Sequence, residues 1–449
     1  MIRKSVVTAT LSIGMLVGVA RADVVTDWNE VLLETIKTKS LSPPVASRAI
    51  ALMNVAMYDV INSYARTHDP YLVMGTPTAG SVRDVAAIYA ARRVLGELFP
   101  DQTDVYDAAV NDFLLALPEI VYLPSREYGE SIANLILDSR HGDNSDITVA
   151  YTPGTAPGEW QPTPPANAAA LLPNWAHVTP WAMETSSQFR QSGPPELSSG
   201  RYARDFNEVK ALGDINSATR TADQTEIANF WADADSTCTP AGHWIQIAIT
   251  IVNDQGNTLE QNARVFALLG ITLADAAICA WDNKYAYEDW RPITGIRNAD
   301  ADGNDATDQD AGWTPLIDTP PFPSYTSGHS TFSGAASRLI EILYGRDDIA
   351  FDSTVEDVTR SFESLSDAAE EAGRSRIYGG IHWQYDNEDG LSAGRQLAAY
   401  VHANFLKRVT TSTASGGNLC GGGLLPVGMM FFAIPLARGF VRRRGRRSR

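Results

Sequence analysis

Cysteine is almost absent from this chain: three occur in 449 residues, and one of them, Cys420, lies in a C-terminal segment of distinct composition. A disulfide-stapled scaffold is thereby excluded, and the fold must stand on an apolar core, for which the length is ample. Cys238 and Cys279 remain in the body. An exported protein could pair them, but sequence does not give their separation in space. Basic charge is also scarce. There are 36 Lys and Arg against 53 Asp and Glu, and ten of the basic residues (Arg3, Lys4, Arg21 and seven arginines between Arg438 and Arg449) sit in two end segments that hold no acid. The body is therefore more acidic than the formal net charge of −17 indicates, which speaks against nucleic acid as a partner. A cationic pocket inside such a body would be a local exception. No run alternates apolar and polar residues long enough to demand a substantial sheet, no solenoid-type repeat is visible, and the body reads as free of transmembrane helices.

Both ends read as processing segments. Arg3 and Lys4 precede an apolar run from Val6 to Ala20, and Ala20-Arg21-Ala22 offers small residues at the two positions a signal peptidase reads. Residues 1–22 are expected to be a signal peptide, and the protein to be exported. At the far end, a Ser/Thr/Gly linker with Cys420 and Gly421 to Gly423 (410–423) leads into an apolar stretch from Leu424 to Ala437 and then the arginines. Residues 424–449 read either as a membrane anchor with its basic side in the cytoplasm or as a cell-surface sorting tag. A surface amphipathic helix fits poorly, because the charges lie at one end and not along one face.

Between the ends the pattern is helical. After Pro44, Val45 to Ile61 repeats apolar residues at three and four, as do Ser81 to Leu98, Thr103 to Leu117 and Arg126 to Leu137. Tyr151 to Pro195, rich in Pro, Gly and Trp, reads as a long irregular excursion. Helical patterns resume over Thr221–Trp231, His243–Val252, Asn257–Tyr287, Thr331–Tyr344, Val355–Ala372 and Asn387–Leu406. The expectation is an all-α protein packed as helical bundles, with an N-terminal helical part over 23–220 and a C-terminal part over 221–409.

Three segments of the second half carry the chemistry. In Trp281-Asp282-Asn283-Lys284-Tyr285-Ala286-Tyr287-Glu288-Asp289-Trp290-Arg291-Pro292, Lys284 and Arg291 are seven apart. On one helix they would lie one above the other, near an end set by Pro292. Paired cations are usually a solvated face, but the four flanking aromatics imply burial. In Pro320-Pro321-Phe322-Pro323-Ser324-Tyr325-Thr326-Ser327-Gly328-His329-Ser330, the prolines give an extended approach to a helix start. A hydroxyl, a glycine amide and a histidine there make an anion seat; alternatively, Ser327 is only a helix cap. In Ser375-Arg376-Ile377-Tyr378-Gly379-Gly380-Ile381-His382-Trp383-Gln384-Tyr385-Asp386, the two glycines permit a break that lets Arg376 and His382 converge. Asp386, four residues after His382, can accept from one ring nitrogen and so orient the other. Three cations, a hydroxyl, an amide and two histidines match the needs of a tetrahedral oxyanion, whose oxygens want charge-assisted donors.

Lys, six residues, Arg-Pro; Ser-Gly-His; and Ser-Arg, five residues, His, three residues, Asp together resemble the vanadium-dependent haloperoxidase family, which shares its scaffold with the type 2 phosphatidic-acid phosphatases. The resemblance is strong over the second half, including Phe230-Trp231-Ala232-Asp233 and the Trp-Thr-Pro-Leu-Ile segment at Trp313; the first half agrees in character only. It implies two four-helix bundles with long irregular loops, vanadate as cofactor, and hydrogen peroxide, halide and a small organic acceptor as partners. It also implies that His382 binds vanadium, that Lys284, Arg291, Arg376, Ser327 and the Gly328 amide hold the oxygens, and that His329 is the acid–base. Lys284, His329 and His382 would thus be catalytic, Asp386 would orient His382, and Trp281 and Phe322 would lie beside the halide. The family's carboxylate between the arginines falls on Asp233 or Asp235. Thr326 departs from the family's proline before Ser-Gly-His, which puts the firmness of that turn in question.

Two other readings use the same residues. A soluble type 2 acid phosphatase would form a phosphohistidine on His382, with His329 protonating the leaving group. A non-enzymatic anion-binding or surface-attachment protein would carry the constellation as a degenerate site. Separately, Asn298, Asp300, Asp302 and Gly303 resemble the start of a calcium loop, with Gln309 where the closing Glu should be; a solvated acidic loop is the other reading.

Overall fold

Thirteen α-helices and one hairpin make up the main regular structure of the residues described by this computed structural model, 23–115, 118–234 and 236–409. In chain order they are α1 (Val24–Thr38), α2 (Pro43–Ala65), α3 (Arg83–Leu98), α4 (Thr103–Leu114), α5 (Tyr122–Ser139), α6 (Gly200–Leu212), α7 (Ala222–Phe230), α8 (Thr239–Gln255), α9 (Leu259–Tyr287), α10 (Pro292–Arg297), α11 (Gly328–Tyr344), β1 (Phe351–Val355), β2 (Val358–Phe362), α12 (Leu365–Tyr378) and α13 (Gln384–Asn404). The expected signal peptide, linker and anchor or sorting tag, and Asp235, lie outside the described residues.

Local chemistry sets most helix starts. Thr221 and Thr258 cap α7 and α9 with reciprocal bonds to Gln224 and Gln261, and Asp23, Ser199 and Ser364 cap α1, α6 and α12. Prolines in the first turn open α2, α8 and α10, where a missing N–H costs nothing. The helices gather in two groups that share α9: α2, α3 and α5 pack on one another with α2 on α9, while α11, α12 and α13 pack on one another with α11 and α13 on α9. Within the long middle stretch of α9 almost every residue is buried. By length and composition that helix could cross a membrane, yet 94% of its most apolar window is covered by the rest of the protein, so it is the core helix.

The excursion from Tyr151 to Pro195 contains only a single helical turn, Trp175–His177, and straps α9. Buried Asp275 accepts the N–H groups of Trp181, Ala182 and Met183, Asp282 holds Arg190, and Asn283 accepts from the Gln191 N–H.

One sequence expectation is corrected here, two helices are added, and the open question of the cysteines is answered. Val355–Ala372 is not one helix: β1 and β2 pair antiparallel, Phe351 opposite Phe362 and Val355 opposite Val358, and α12 starts only at Leu365. The cause is strand chemistry on a short turn, with Phe351, Ser353 and Phe362 turned inward and Glu356 in the left-handed region at φ 51°. Helices α1 and α6 are additions that the apolar periodicity did not single out. Cys238 and Cys279 are free buried thiols, donating to Gln246 and to the Phe189 carbonyl respectively.

The crossing of α11 and α13, which positions both helix starts at the site, depends on missing side chains. A Cβ at Gly334 would come within 2.5 Å of the Leu391 carbonyl, and one at Gly394 would strike the Thr331 carbonyl. Gly394→Ala is expected to destabilise the protein by about 1–3 kcal/mol through overpacking, checked by urea unfolding against wild type.

Candidate active site

Lys284 and Arg291 do not share a helix, contrary to the spacing argument. Glu288, at φ 51°, ends α9 after Tyr287, and Arg291 is the extended residue (φ −82°, ψ 154°) that caps α10 ahead of Pro292. The cations meet through the turn between them. Buried Lys284 donates to the carbonyls of Pro323 (3.0 Å), Ser324 (3.0 Å) and Thr326 (2.6 Å). Three acceptors require three N–H bonds, so the amine is held as an ammonium with no donor to spare. Burial and Arg291 press its pKa well down, while Asp386 and Asp289 pull the other way. Arg291 donates from Nε to the Phe322 carbonyl (2.8 Å) and from Nη1 to the Ile381 carbonyl (2.7 Å) and to His382 Nε2 (3.0 Å). The Phe322 ring lies 4.9 Å from Lys284 Nζ and 4.8 Å from the Arg291 guanidinium, with the Trp281 ring 5.1 Å away. Both aromatics thus flank the cations.

Ser327 is the cap of α11, its hydroxyl accepting from the Ser330 N–H at 3.3 Å, and its own N–H donates to the Asp386 carbonyl at 3.0 Å. That last bond ties the starts of α11 and α13 together. Although Thr326 replaces proline, the turn is held by Lys284, and Thr326 Oγ1 bonds Thr331 Oγ1 at 3.3 Å. At Gly328 an added Cβ would meet only Trp281, at 3.9 Å, so the bare position relieves no clash and leaves its amide approachable.

Arg376 closes α12, and the chain then turns through Gly379 and Gly380 (φ 78°) to bring His382 to the start of α13. Asp386 Oδ2 accepts from His382 Nδ1 (2.8 Å), the Trp383 N–H (3.1 Å) and Ser324 Oγ (2.5 Å). Because Arg291 has donors only, the lone pair of His382 lies on Nε2 and the proton on Nδ1. Burial, then Arg291, Lys284 and Arg376, hold the His382 pKa well below its ordinary value, so the ring is neutral. Burial raises Asp386 to about 7 against the pull of Ser324 and Lys284. The same burial brings Arg291 down to about 9 and Arg376 to about 10, which leaves both charged at neutral pH.

Asp233, not assigned from sequence between two choices, reaches the site. Its Oδ2 stands 3.7 Å from His329 Nε2, and it supports the charge on Arg376, whose Nη1 donates to the Trp231 carbonyl at 2.6 Å. His329 is neutral, pressed well down by burial, Arg376 and His243. Three groups escaped the sequence reading. Ser324 braces Asp386; Asp289, raised by burial and by Asp386, accepts from Tyr385 Oη at 3.1 Å; and His243 bonds Asp233 at 3.2 Å. The calcium-like loop spends its acids on itself: Asp302 accepts from the Asn304 N–H and Thr307 Oγ1, and Gln309 donates to Asp300. Among the described residues no group of three or more His, Cys, Asp or Glu is placed to hold a metal ion.

The donor set fits a bound oxyanion. Arg291 Nη2, Arg376 Nε and His329 Nε2 are buried without a partner, and the two neighbouring carboxylates, Asp233 and Asp386, each spend one oxygen on a histidine and bond neither arginine. Fold and site together define a helical-bundle protein that gathers cationic donors and a neutral histidine around an oxyanion position. Residues 264–411 match the VCPO second helical-bundle domain. The chain is 25% identical to vanadium chloroperoxidase of Curvularia inaequalis over 80% of this chain and 78% of that one. It superposes on the first bacterial vanadium-dependent iodoperoxidase with a TM-score of 0.76 and 28% identity, covering 86% of this chain and 97% of that one. An apo-type bacterial vanadium-dependent chloroperoxidase shares the fold, with a TM-score of 0.66 and 18% identity over 81% and 94% of the two chains. The matched domain, the curated relative and the iodoperoxidase are all of vanadium haloperoxidases, and it is these that the chain resembles in sequence and fold.

A depressed histidine costs stability in acid, because below pH 6.5 the unfolded chain takes a proton that the buried ring refuses. The stability of wild type relative to His329→Gln should therefore fall by about 1.4 kcal/mol per pH unit below 6.5. Paired urea titrations from about two pH units below that value to about one above it check the slope.

Proposed function

We propose that this protein is a vanadate-dependent haloperoxidase that oxidises halide with hydrogen peroxide to hypohalous acid. The observation that carries the reading is the neutral His382, its Nε2 lone pair set among Arg291, Lys284 and Arg376, with unspent donors on both arginines. The relatives named for chloride and iodide peroxidation support it.

His382 would hold the metal through Nε2, with Asp386 fixing the tautomer. Arg291, Arg376, Ser327 and the Gly328 amide would meet the oxygens, and Lys284 would act through its charge, since its N–H bonds are spent on carbonyls. When bound, vanadate supplies the Lewis acid that makes peroxide electrophilic, with no change in the metal's oxidation state. Neutral His329 can take a proton from hydrogen peroxide and return it to the departing oxygen. Trp281 and Phe322 present ring edges and faces beside the cations, a setting for a large polarisable halide. The balance is halide, hydrogen peroxide and one proton giving hypohalous acid and water: the halide loses two electrons to the peroxide oxygen. The leader-like Arg3-Lys4 and Val6–Ala20 segment supports export as part of the same reading.

Halogenation of monochlorodimedone by the full chain, with bromide, chloride or iodide and peroxide, is expected only after loading with orthovanadate. His382→Ala should lose vanadate binding and at least about 100-fold in rate. Phosphate-ester hydrolysis by the unloaded protein, without halogenation after loading, would replace this reading with the type 2 phosphatase.

A further inference from the structure

The reaction consumes one proton per turnover, and the front of the site is a poor place to collect it. Arg376 and Lys284 both press on His329, and a cluster of buried cations that draws in anions repels hydronium. Behind the site the charge is reversed. A cavity of about 470 Å³ between α1, α8 and β1 is lined by Glu30, Glu34, Asp352 and Ser353 among others, and the three acids are exposed.

From that cavity a buried line of polar groups runs inward. Ser353 Oγ lies 3.0 Å from His243 Nε2, His243 Nδ1 lies 3.2 Å from Asp233 Oδ1, and Asp233 Oδ2 faces His329 Nε2 across 3.7 Å. Neither atom at that last gap has another partner at full hydrogen-bond geometry, although the Trp231 backbone also acts on His329. His243 is itself 1% exposed and stacks on Trp231 at 4.4 Å, which holds the ring in the line. A core histidine satisfied on both nitrogens, one toward the site and one toward a surface cavity, does more than fill space.

We propose that Ser353, His243 and Asp233 form a rear proton path that supplies His329 from the acidic cavity. Resting on the haloperoxidase reading, it works as follows. Hydronium in the cavity gives a proton to the Ser353 hydroxyl as that hydroxyl passes its own to His243, leaving water behind and an imidazolium beside the Asp233 carboxylate. The Nδ1 proton moves to Asp233, and the carboxyl group passes it to His329 Nε2. One proton enters and one arrives, and no electron pair leaves the relay; the carboxyl group turns to carry the proton from Oδ1 to Oδ2, and His243, left as its other tautomer, turns back before the next cycle. The charged and titratable groups facing the path are Arg376 on α12, Lys284 on α9, Cys238 beside Asp233, His382 across from His329, and Glu30, Glu34 and Asp352 at the cavity.

His243→Asn keeps a donor toward Asp233 but cannot relay a proton, and Ser353→Ala removes the outer link. Both are measured as the vanadate-loaded full chain, with vanadate affinity taken separately by titration calorimetry. The expected result is a vanadate Kd within about twofold of wild type and a kcat lower by about tenfold in His243→Asn and several-fold in Ser353→Ala. The loss should grow as pH rises, with a larger solvent deuterium isotope effect, and small imidazole buffers should restore part of it. Wild-type kcat, pH profile and isotope effect in both variants would overturn the proposal. So would a lower kcat explained by weakened vanadate binding alone, which would make His243 only a clamp on Asp233. Absence of halogenation by the wild-type enzyme would instead overturn the haloperoxidase reading, so the two failures are separable.

Discussion

Lys284, Arg291 and Arg376 are all buried, and a buried charge costs several kcal/mol unless acceptors surround it. The carboxylates close by act on them only through space, for their hydrogen bonds go elsewhere: Asp386 to His382, Ser324 and Trp383, and Asp233 to His243. Six backbone carbonyls therefore do the work: those of Pro323, Ser324 and Thr326 for Lys284, of Phe322 and Ile381 for Arg291, and of Trp231 for Arg376. Carbonyl dipoles stabilise a cation without cancelling its charge. The cluster keeps its field, and that field together with burial keeps both site histidines neutral.

Much of the surrounding structure serves to hold those carbonyls and cations in place. Trp290, Trp313, Trp383, Tyr202, Phe206 and Tyr385 form a second apolar cluster behind Arg291 and His382, with Trp383 Nε1 donating to the Trp290 carbonyl at 3.0 Å. The 151–195 strap pins the C-terminal half of α9, and the Leu171 carbonyl accepts from Trp281 and Tyr285 on the helix that carries Lys284. Glycines at the α11–α13 crossing let the two helix starts approach closely enough for Ser327 to bond the Asp386 carbonyl. A rigid frame of this kind suits a site whose work is positioning and electrostatics.

The helical class and the chemistry-bearing segments were legible because local rules govern them: apolar residues at three and four, and cations, a cap and a histidine at fixed intervals. Where two local signals competed, the reading slipped. Val355 to Phe362 carries acids and a serine that permit a helix, yet its β-branched residues and short turn close a hairpin with the strand before it. Lys284 and Arg291 have helical spacing, but Glu288 in the left-handed region and Pro292 put a break between them. His243 carried no motif, since its meaning lies in Asp233 and Ser353, one ten residues before it and the other 110 after.

By itself the sequence determined the helical class, the three segments that carry the site, and the residue types an oxyanion needs, because each follows from periodicity or from side-chain chemistry within a dozen residues. Tertiary structure decided the rest. It buried Lys284, Arg291 and Arg376 together, assigned the Nε2 lone pair of His382 by setting Arg291 against it, chose Asp233 as the carboxylate that faces His329, and left both cysteines unpaired. Burial and through-space charge depend on neighbours remote in the chain, and no local pattern records them.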